Sequence, residues 1–121
     1  MYGLPKDFDG NRLVGRFLEQ ICYGVAQIQL RFDEALTVAV ESSFLYQDPA
    51  APQPKRIDIP GEPAIQSDLL HLLHHTIVKA YGDDKGTLTM EFDTGHILQC
   101  LEHEGPYESY QINFGNQLII V

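Results

Sequence analysis

Residues 25–32 read VAQIQLRF, and this stretch decides the fold because apolar and polar side chains alternate along it. Ile28, Leu30 and Phe32 share one face of a β-strand, since successive side chains of a strand point to opposite sides of the sheet. The other face carries two glutamines and an arginine. We therefore predict a strand with one face in the core and the other in water.

The segments on either side continue the same pattern. After a connection at Asp33 and Glu34, residues 36–40 alternate again, and an earlier strand at residues 16–23 ends at Gly24. Connections this short cannot carry a parallel crossover, so the three strands are expected to form an antiparallel meander.

The last third of the chain repeats this pattern and predicts five more strands. They lie at residues 77–81, 87–92, 96–101, 107–114 and 117–121. The first three form a second meander, with Thr94-Gly95 as one of its turns. Between the two meanders, residues 47–63 hold five of the seven prolines, which indicates a loop with one short edge strand at residues 56–59.

One segment has helical rather than strand periodicity. Residues 64–75 place several apolar side chains on one stripe, among them Leu69 and Leu72, and Pro63 suits the first turn of a helix. We therefore predict an α+β fold: a mostly antiparallel β-sheet built from two meanders, with one amphipathic helix between them. With 121 residues and 44% hydrophobic content, the chain fits a single domain over residues 1–121.

The two meanders resemble each other in sequence. Residues 28–40 and 88–100 align at an offset of 60, and Phe32-Asp33 then matches Phe92-Asp93. Either an internal duplication or two independent hairpins with ordinary alternation would give this match. Strand order distinguishes the two alternatives, because a duplication requires the same order in both halves.

The chain is strongly acidic. It carries 17 Asp and Glu against 8 Lys and Arg, a net charge of −9. Such a surface repels phosphate groups, so we expect neither nucleic acid nor a membrane as a partner, whereas a basic protein fits. A cytoplasmic location is predicted, because residues 1–10 lack the apolar core of a signal peptide and no segment approaches the about 20 apolar residues of a membrane span. Cys22 and Cys100 are then expected to be free thiols.

Three histidines form the candidate metal site. His71, His74 and His75 are spaced by three and four residues, which brings their imidazoles to one face of the predicted helix, where they could bind zinc or nickel. The alternative is a solvated polar face opposite the apolar stripe. The Gly-x-Ser-x-Gly, Gly-x-Gly-x-x-Gly and His-Glu-x-x-His motifs are missing, so no catalytic residue and no cofactor is predicted.

A tyrosine-bearing segment near the end is the candidate partner-binding site. Tyr107, Glu108 and Tyr110 lie on a predicted strand, and aromatic side chains are common anchors of protein interfaces. The alternative is that the two rings cap the core and their hydroxyls reach water.

Short motifs occur in a recognisable order along the chain. They are Phe44, Asp48-Pro49, residues 69–73, Val78, Ala80, Gly86-Thr87-Leu88, Phe92, Gly95, Leu98 and Tyr107-Glu108-Ser109-Tyr110. From about Val14 to Val121 this order resembles a family of small bacterial proteins of unknown function. Typical members have Tyr-Glu-Ala-Trp late in the chain, and Tyr110 stands in place of the tryptophan. The resemblance implies a stand-alone cytosolic domain with no catalytic residue to carry over.

Two functions are compatible with these observations. The first is a non-enzymatic protein-interaction module, immunity-like by analogy with other small acidic bacterial families, or regulatory. The second is a small-molecule- or metal-binding enzyme with a pocket between helix and sheet that uses His71, His74 or His75. The missing motifs favour the first. A homodimer is a further expectation, since a small antiparallel sheet leaves edges to cover.

Overall fold

Two antiparallel five-stranded sheets make up the described part of the protein. The computed structural model describes residues 4–59, 67–102 and 109–121. Its strands are, in chain order, β1 (Leu18–Tyr23), β2 (Ile28–Phe32), β3 (Thr37–Val40), β4 (Ser43–Gln47), β5 (Lys55–Asp58), β6 (Ile77–Gly82), β7 (Leu88–Phe92), β8 (Ile97–Cys100), β9 (Tyr110–Asn113) and β10 (Leu118–Ile120). Two short 3-10 helices, Gly10–Arg12 and Ser67–Leu72, precede β1 and β6.

The strand order is β1-β2-β3-β9-β10 in the first sheet and β5-β4-β8-β7-β6 in the second. The meanders β1-β2-β3 and β6-β7-β8 are those predicted from the alternation, so the prediction of antiparallel sheet is confirmed. β5 is an edge strand, as its proline-rich neighbours indicated. Sequence reasoning missed β4, where Phe44, Leu45 and Tyr46 are consecutive apolar residues without alternation.

The predicted α+β class is wrong, because no α-helix occurs among residues 4–59, 67–102 and 109–121. The segment predicted as an amphipathic helix is a 3-10 helix over Ser67–Leu72, and its first residues, 64–66, lie outside the described ranges. Leu69 and Leu72 are buried three residues apart, which matches three residues per turn. His74 has a positive φ of 68°, which ends any right-handed helix there. No described helix is long and apolar enough to cross a membrane.

Each sheet combines a meander from one half of the chain with a hairpin from the other. The hairpin of β4 and β5 follows the first meander, but its strand β4 pairs with β8 of the second meander, with Phe44 opposite Cys100. In the same way the hairpin of β9 and β10 follows the second meander, but its strand β9 pairs with β3 of the first, with Val40 opposite Tyr110. The order β1 to β5 is therefore repeated by β6 to β10. The two halves have the strand order that an internal duplication requires.

Equivalent hydrogen bonds extend this correspondence into the loops. Both meanders begin with a register shift, at Leu18/Gln20 and at Ile77/Lys79. Just before them, the amide of Arg16 donates to Leu13 O at 3.2 Å, and the amide of His75 donates to Leu72 O at 3.1 Å. A positive φ of 88° at Gly15 corresponds to the 68° at His74. Residues of one half therefore have defined counterparts in the other.

The core lies between the inner faces of the two sheets. Phe32 of β2 and Phe92 of β7 occupy equivalent positions and stack on each other, with ring centroids 6.5 Å apart. Burying one such side chain contributes about 1.5–3 kcal/mol, so apolar contact between the sheets is the main source of stability. Cys22 and Cys100 are both free thiols, and Cys100 lies fully inside this core.

Candidate metal centre

The three predicted histidines have separate partners. His71 is exposed on the 3-10 helix, and His74 stacks on Phe17 with ring centroids 5.7 Å apart. Nδ1 of His75 lies 2.9 Å from Oδ1 of Asp93. The α-helix that would have aligned the three imidazoles is not formed. Metal binding by all three together stays a prediction. His71 is the one that the fold brings next to other metal-binding residue types.

The structure assembles a different set from three places in the chain: Asp48, His71 and His96. Their potential ligand atoms all lie within 4.8 Å of one another. Asp48 directly follows β4, His71 lies on the 3-10 helix before β6, and His96 directly precedes β8. β4 and β8 are paired strands, so their adjoining ends bring Asp48 and His96 together.

The distances describe an open arrangement that an ion could draw together. Nε2 of His96 lies 3.9 Å from Oδ1 of Asp48, and the His71 and His96 rings meet edge to face with centroids 6.0 Å apart. Zinc bonds of about 2.0–2.2 Å place ligand atoms roughly 3–3.5 Å apart. A shift of about 1 Å in each side chain therefore closes the site. Asp48 is positioned for this by the amide of Ala50, which donates to its Oδ1 at 2.9 Å.

His96 is the most informative member of the set. It is only 9% exposed, its Nδ1 lies 2.6 Å from Oγ1 of Thr94, and its Nε2 is buried without a hydrogen-bond partner. Burial lowers the pKa of His96, against the opposing influence of Asp48, and His71 and His75 lower it further. Imidazole binds metals in its neutral form. In the tautomer whose Nδ1 donates to Oγ1 of Thr94, Nε2 carries a free lone pair, and the ligand atoms of Asp48 and His71 lie within 4.8 Å.

The counterpart of this site at the first sheet is built from different residues. The amide of Phe32 donates to Leu36 O at 2.8 Å, and the amide of Phe92 donates to His96 O at 2.9 Å, so His96 takes the place of Leu36. The hydrogen bonds before the two meanders match Leu13 with Leu72, so His71 takes the place of Arg12. The strand pairs Val40–Tyr110 and Cys100–Phe44 match β9 with β4, so Asp48 takes the place of Phe114. At the counterpart in the first sheet, Leu36 is fully buried and the Arg12 guanidinium lies 3.7 Å over the Phe114 ring.

This substitution is the signal that sequence reasoning missed. When residues 28–40 are aligned with residues 88–100, His96 matches Leu36, at a position where the alternation predicts an apolar residue. Asp48 gave no such signal, since it belongs to a strand that crosses to the other sheet. Only the fold shows that Asp48 and His96 are neighbours.

A cavity of about 290 Å³ opens beside Asp48 and His71. Its lining consists of Tyr46, Asp48, Ala51, Gln53, Lys55, Asp68 and His71. Tyr46 is 4% exposed, its ring lies 5.5 Å from that of His96, and its hydroxyl is buried without a partner. Burial, with Asp48 and Asp68 nearby, raises the pKa of Tyr46 to about 12, so this hydroxyl keeps its proton. Nζ of Lys55 contacts Oδ2 of Asp68 at 2.5 Å.

The predicted partner-binding residues fall in two different settings. Tyr107 and Glu108 lie outside the described residues. Tyr110 is fully buried, and its hydroxyl donates to Gly86 O at 2.6 Å. The ring of Tyr110 thus packs in the core, and partner binding through this segment stays a prediction.

Fold and site together define a two-sheet antiparallel β-protein with a candidate centre of two histidines and one aspartate. The chain belongs to the family described as "Family of unknown function (DUF6188)", which matches residues 10–121. The resemblance to a family of unknown function is thereby confirmed, while its bacterial origin and its late motif stay predictions. No curated protein and no solved structure shows a significant match.

Proposed function

We propose that this protein is a transition-metal-binding protein that holds a zinc-type ion at Asp48, His71 and His96. The observation that carries the proposal is the buried, unpartnered Nε2 of His96 beside two further donors. Leaving such an atom unsatisfied costs about 1–3 kcal/mol. A metal ion removes this cost, whereas the equivalent position in the first half avoids it by using Leu36.

The donor set indicates the class of ion. Two imidazoles and one carboxylate suit zinc, and also iron or nickel, better than calcium or magnesium, which prefer oxygen ligands alone. Three protein ligands leave a further coordination position open, as in zinc sites that bind a water molecule or a substrate. His71 and Asp48 both border the cavity, so that position is accessible from it.

The interaction module favoured by the sequence stays a prediction. The net charge of −9 still suits a basic partner, but of the three residues expected to bind it the structure describes only Tyr110, which is in the core. The distances at Asp48, His71 and His96 instead support the metal-binding part of the second hypothesis. They carry no argument for a reaction, and we propose none.

Isothermal titration of zinc into chelator-treated protein at neutral pH tests the proposal. We expect one ion per chain for the wild type and no saturable binding for His96→Leu or His71→Ala. The control is His74→Asn, which changes an exposed histidine outside the set and keeps a residue that tolerates positive φ. Absence of binding by the wild type, or full binding by His96→Leu, would contradict the proposal.

A further inference from the structure

We infer that the open coordination position takes a small carboxylate anion, which enters from the 290 Å³ cavity and accepts a hydrogen bond from the Tyr46 hydroxyl. This inference rests on the proposed metal site. It adds the class of ligand that the metal-bound protein recognises and the residue that orients this ligand.

The first argument is the number of donors. At the candidate centre, Asp48, His71 and His96 offer one ligand atom each among residues 4–59, 67–102 and 109–121. A zinc-type ion takes at least four ligands. Two of the three donor residues, Asp48 and His71, line the cavity. A molecule in the cavity can therefore reach the ion directly.

The second argument is the unpartnered hydroxyl of Tyr46. Among the described residues, Tyr46 Oη and His96 Nε2 are the two buried side-chain atoms without a hydrogen-bond partner, and they lie on neighbouring rings. A buried polar group without a partner calls for an explanation, since most are satisfied. The metal ion accounts for His96. Tyr46 lines the cavity but its hydroxyl is buried, so an oxygen of a metal-bound ligand accounts for this hydroxyl once the Tyr46 side chain moves toward the cavity. A phenol then donates its proton to such an oxygen.

The third argument is charge and size. A divalent ion together with Asp48, Lys55 and Asp68 leaves the site with one net positive charge, which a monoanion neutralises. At about 290 Å³ the cavity is just below the range of about 300–1,000 Å³ that is usual for ligand pockets, so the anion must be small. The Gln53 amide on the cavity wall offers a further hydrogen-bond donor. A small carboxylate meets all these requirements.

Cobalt in place of zinc makes the site visible. The chelator-treated 121-residue chain is loaded with Co²⁺, and its visible absorption spectrum is recorded during titration with acetate. Acetamide, which has nearly the same shape but no charge, is the ligand control. Tyr46→Phe is the test variant, and Tyr81→Phe, at a half-exposed tyrosine of β6 outside the cavity, is its matched control.

Acetate is expected to change the cobalt spectrum saturably, and acetamide is not. Tyr46→Phe should bind Co²⁺ as the wild type does but weaken acetate binding about tenfold or more, the value of one hydrogen bond to a charged group. The unliganded variant should be at least as stable as the wild type, since it loses an unsatisfied hydroxyl.

The outcomes separate this inference from the proposed function. Co²⁺ binding with no response to acetate, or equal acetate binding by Tyr46→Phe, overturns the inference and leaves the metal site standing. An equal response to acetamide overturns the requirement for an anion. Failure to bind Co²⁺ overturns the proposed function and the inference with it.

Discussion

Replacing His96 with leucine, the residue at the equivalent position of the first half, is expected to stabilise the metal-free protein and to abolish its response to zinc. The change removes the buried Nε2 that has no partner, worth about 1–3 kcal/mol. It also removes the contact of Nδ1 with Thr94, worth about 0.5–1.5 kcal/mol. The Thr94 hydroxyl keeps the backbone amide of residue 96 as a donor, at 3.3 Å. The net expectation is a gain of about 1 kcal/mol.

Thermal unfolding followed by circular dichroism measures both effects. A gain of about 1 kcal/mol raises the Tm of a chain of this size by about 4 °C. Zinc at about one hundred times its Kd adds about 2.7 kcal/mol to the wild type, or roughly 10 °C. His96→Leu should show the first shift in the presence of chelator and no second shift when zinc is added.

Two results would refute this reasoning. A metal-free His96→Leu that unfolds several degrees below the wild type would show that the imidazole is satisfied in the native state. A variant that is stabilised by zinc as strongly as the wild type would show that His96 is not a ligand. His74→Asn, measured alongside, should keep the full zinc response.

Three further predictions concern the core. Burial raises the pKa of Cys100 to about 12 from an ordinary value of 9.0, so the unfolded state loses the thiol proton at a lower pH than the folded state. The free energy of unfolding should therefore fall between these two pH values, by up to about 1.4 kcal/mol per pH unit. Denaturant titrations of Cys100→Ala should lack this contribution. Gly10→Ala places a Cβ 2.1 Å from the Ala80 carbonyl oxygen, and we expect a loss of about 1–3 kcal/mol or more in urea unfolding. Tyr110→Phe leaves Gly86 O without its 2.6 Å donor and should cost about 1–2 kcal/mol in the same assay.

The hairpins could be predicted from sequence because their signal is local. Alternation in residues 28–40 and 88–100 fixes which side chains face the core, and their connections are too short for any other pairing. β4 lacked the signal, since burial of Phe44 and Tyr46 around a half-buried Leu45 gives an apolar run. Its pairing with β8 is a long-range contact that no local pattern encodes.

The prediction of an amphipathic α-helix was wrong for a related reason. Leucines at 69, 72 and 73 fit both an α-helix and a tighter 3-10 turn, and the residue that ends the segment is a histidine rather than the glycine usual at positive φ. The metal prediction depended on that helix. Of its three residues, His71 belongs to the candidate centre, where the 3-10 helix before β6 places it.

The exchange of hairpins between the halves creates two equivalent junctions, and the candidate site lies at one of them. Phe114 and Gln117, from the hairpin that crosses into the first sheet, are held by Arg12, which stacks on the former and donates to the latter at 2.8 Å. At the equivalent place, Asp48 from the other crossing hairpin meets His96 at 3.9 Å without a hydrogen bond. The first sheet thus closes this junction with protein side chains alone, whereas in the second sheet the ligand atoms of Asp48 and His96 stay 3.9 Å apart. This difference between two equivalent junctions is what the proposed metal site predicts, because a junction built to hold an ion leaves polar atoms unpaired until the ion binds.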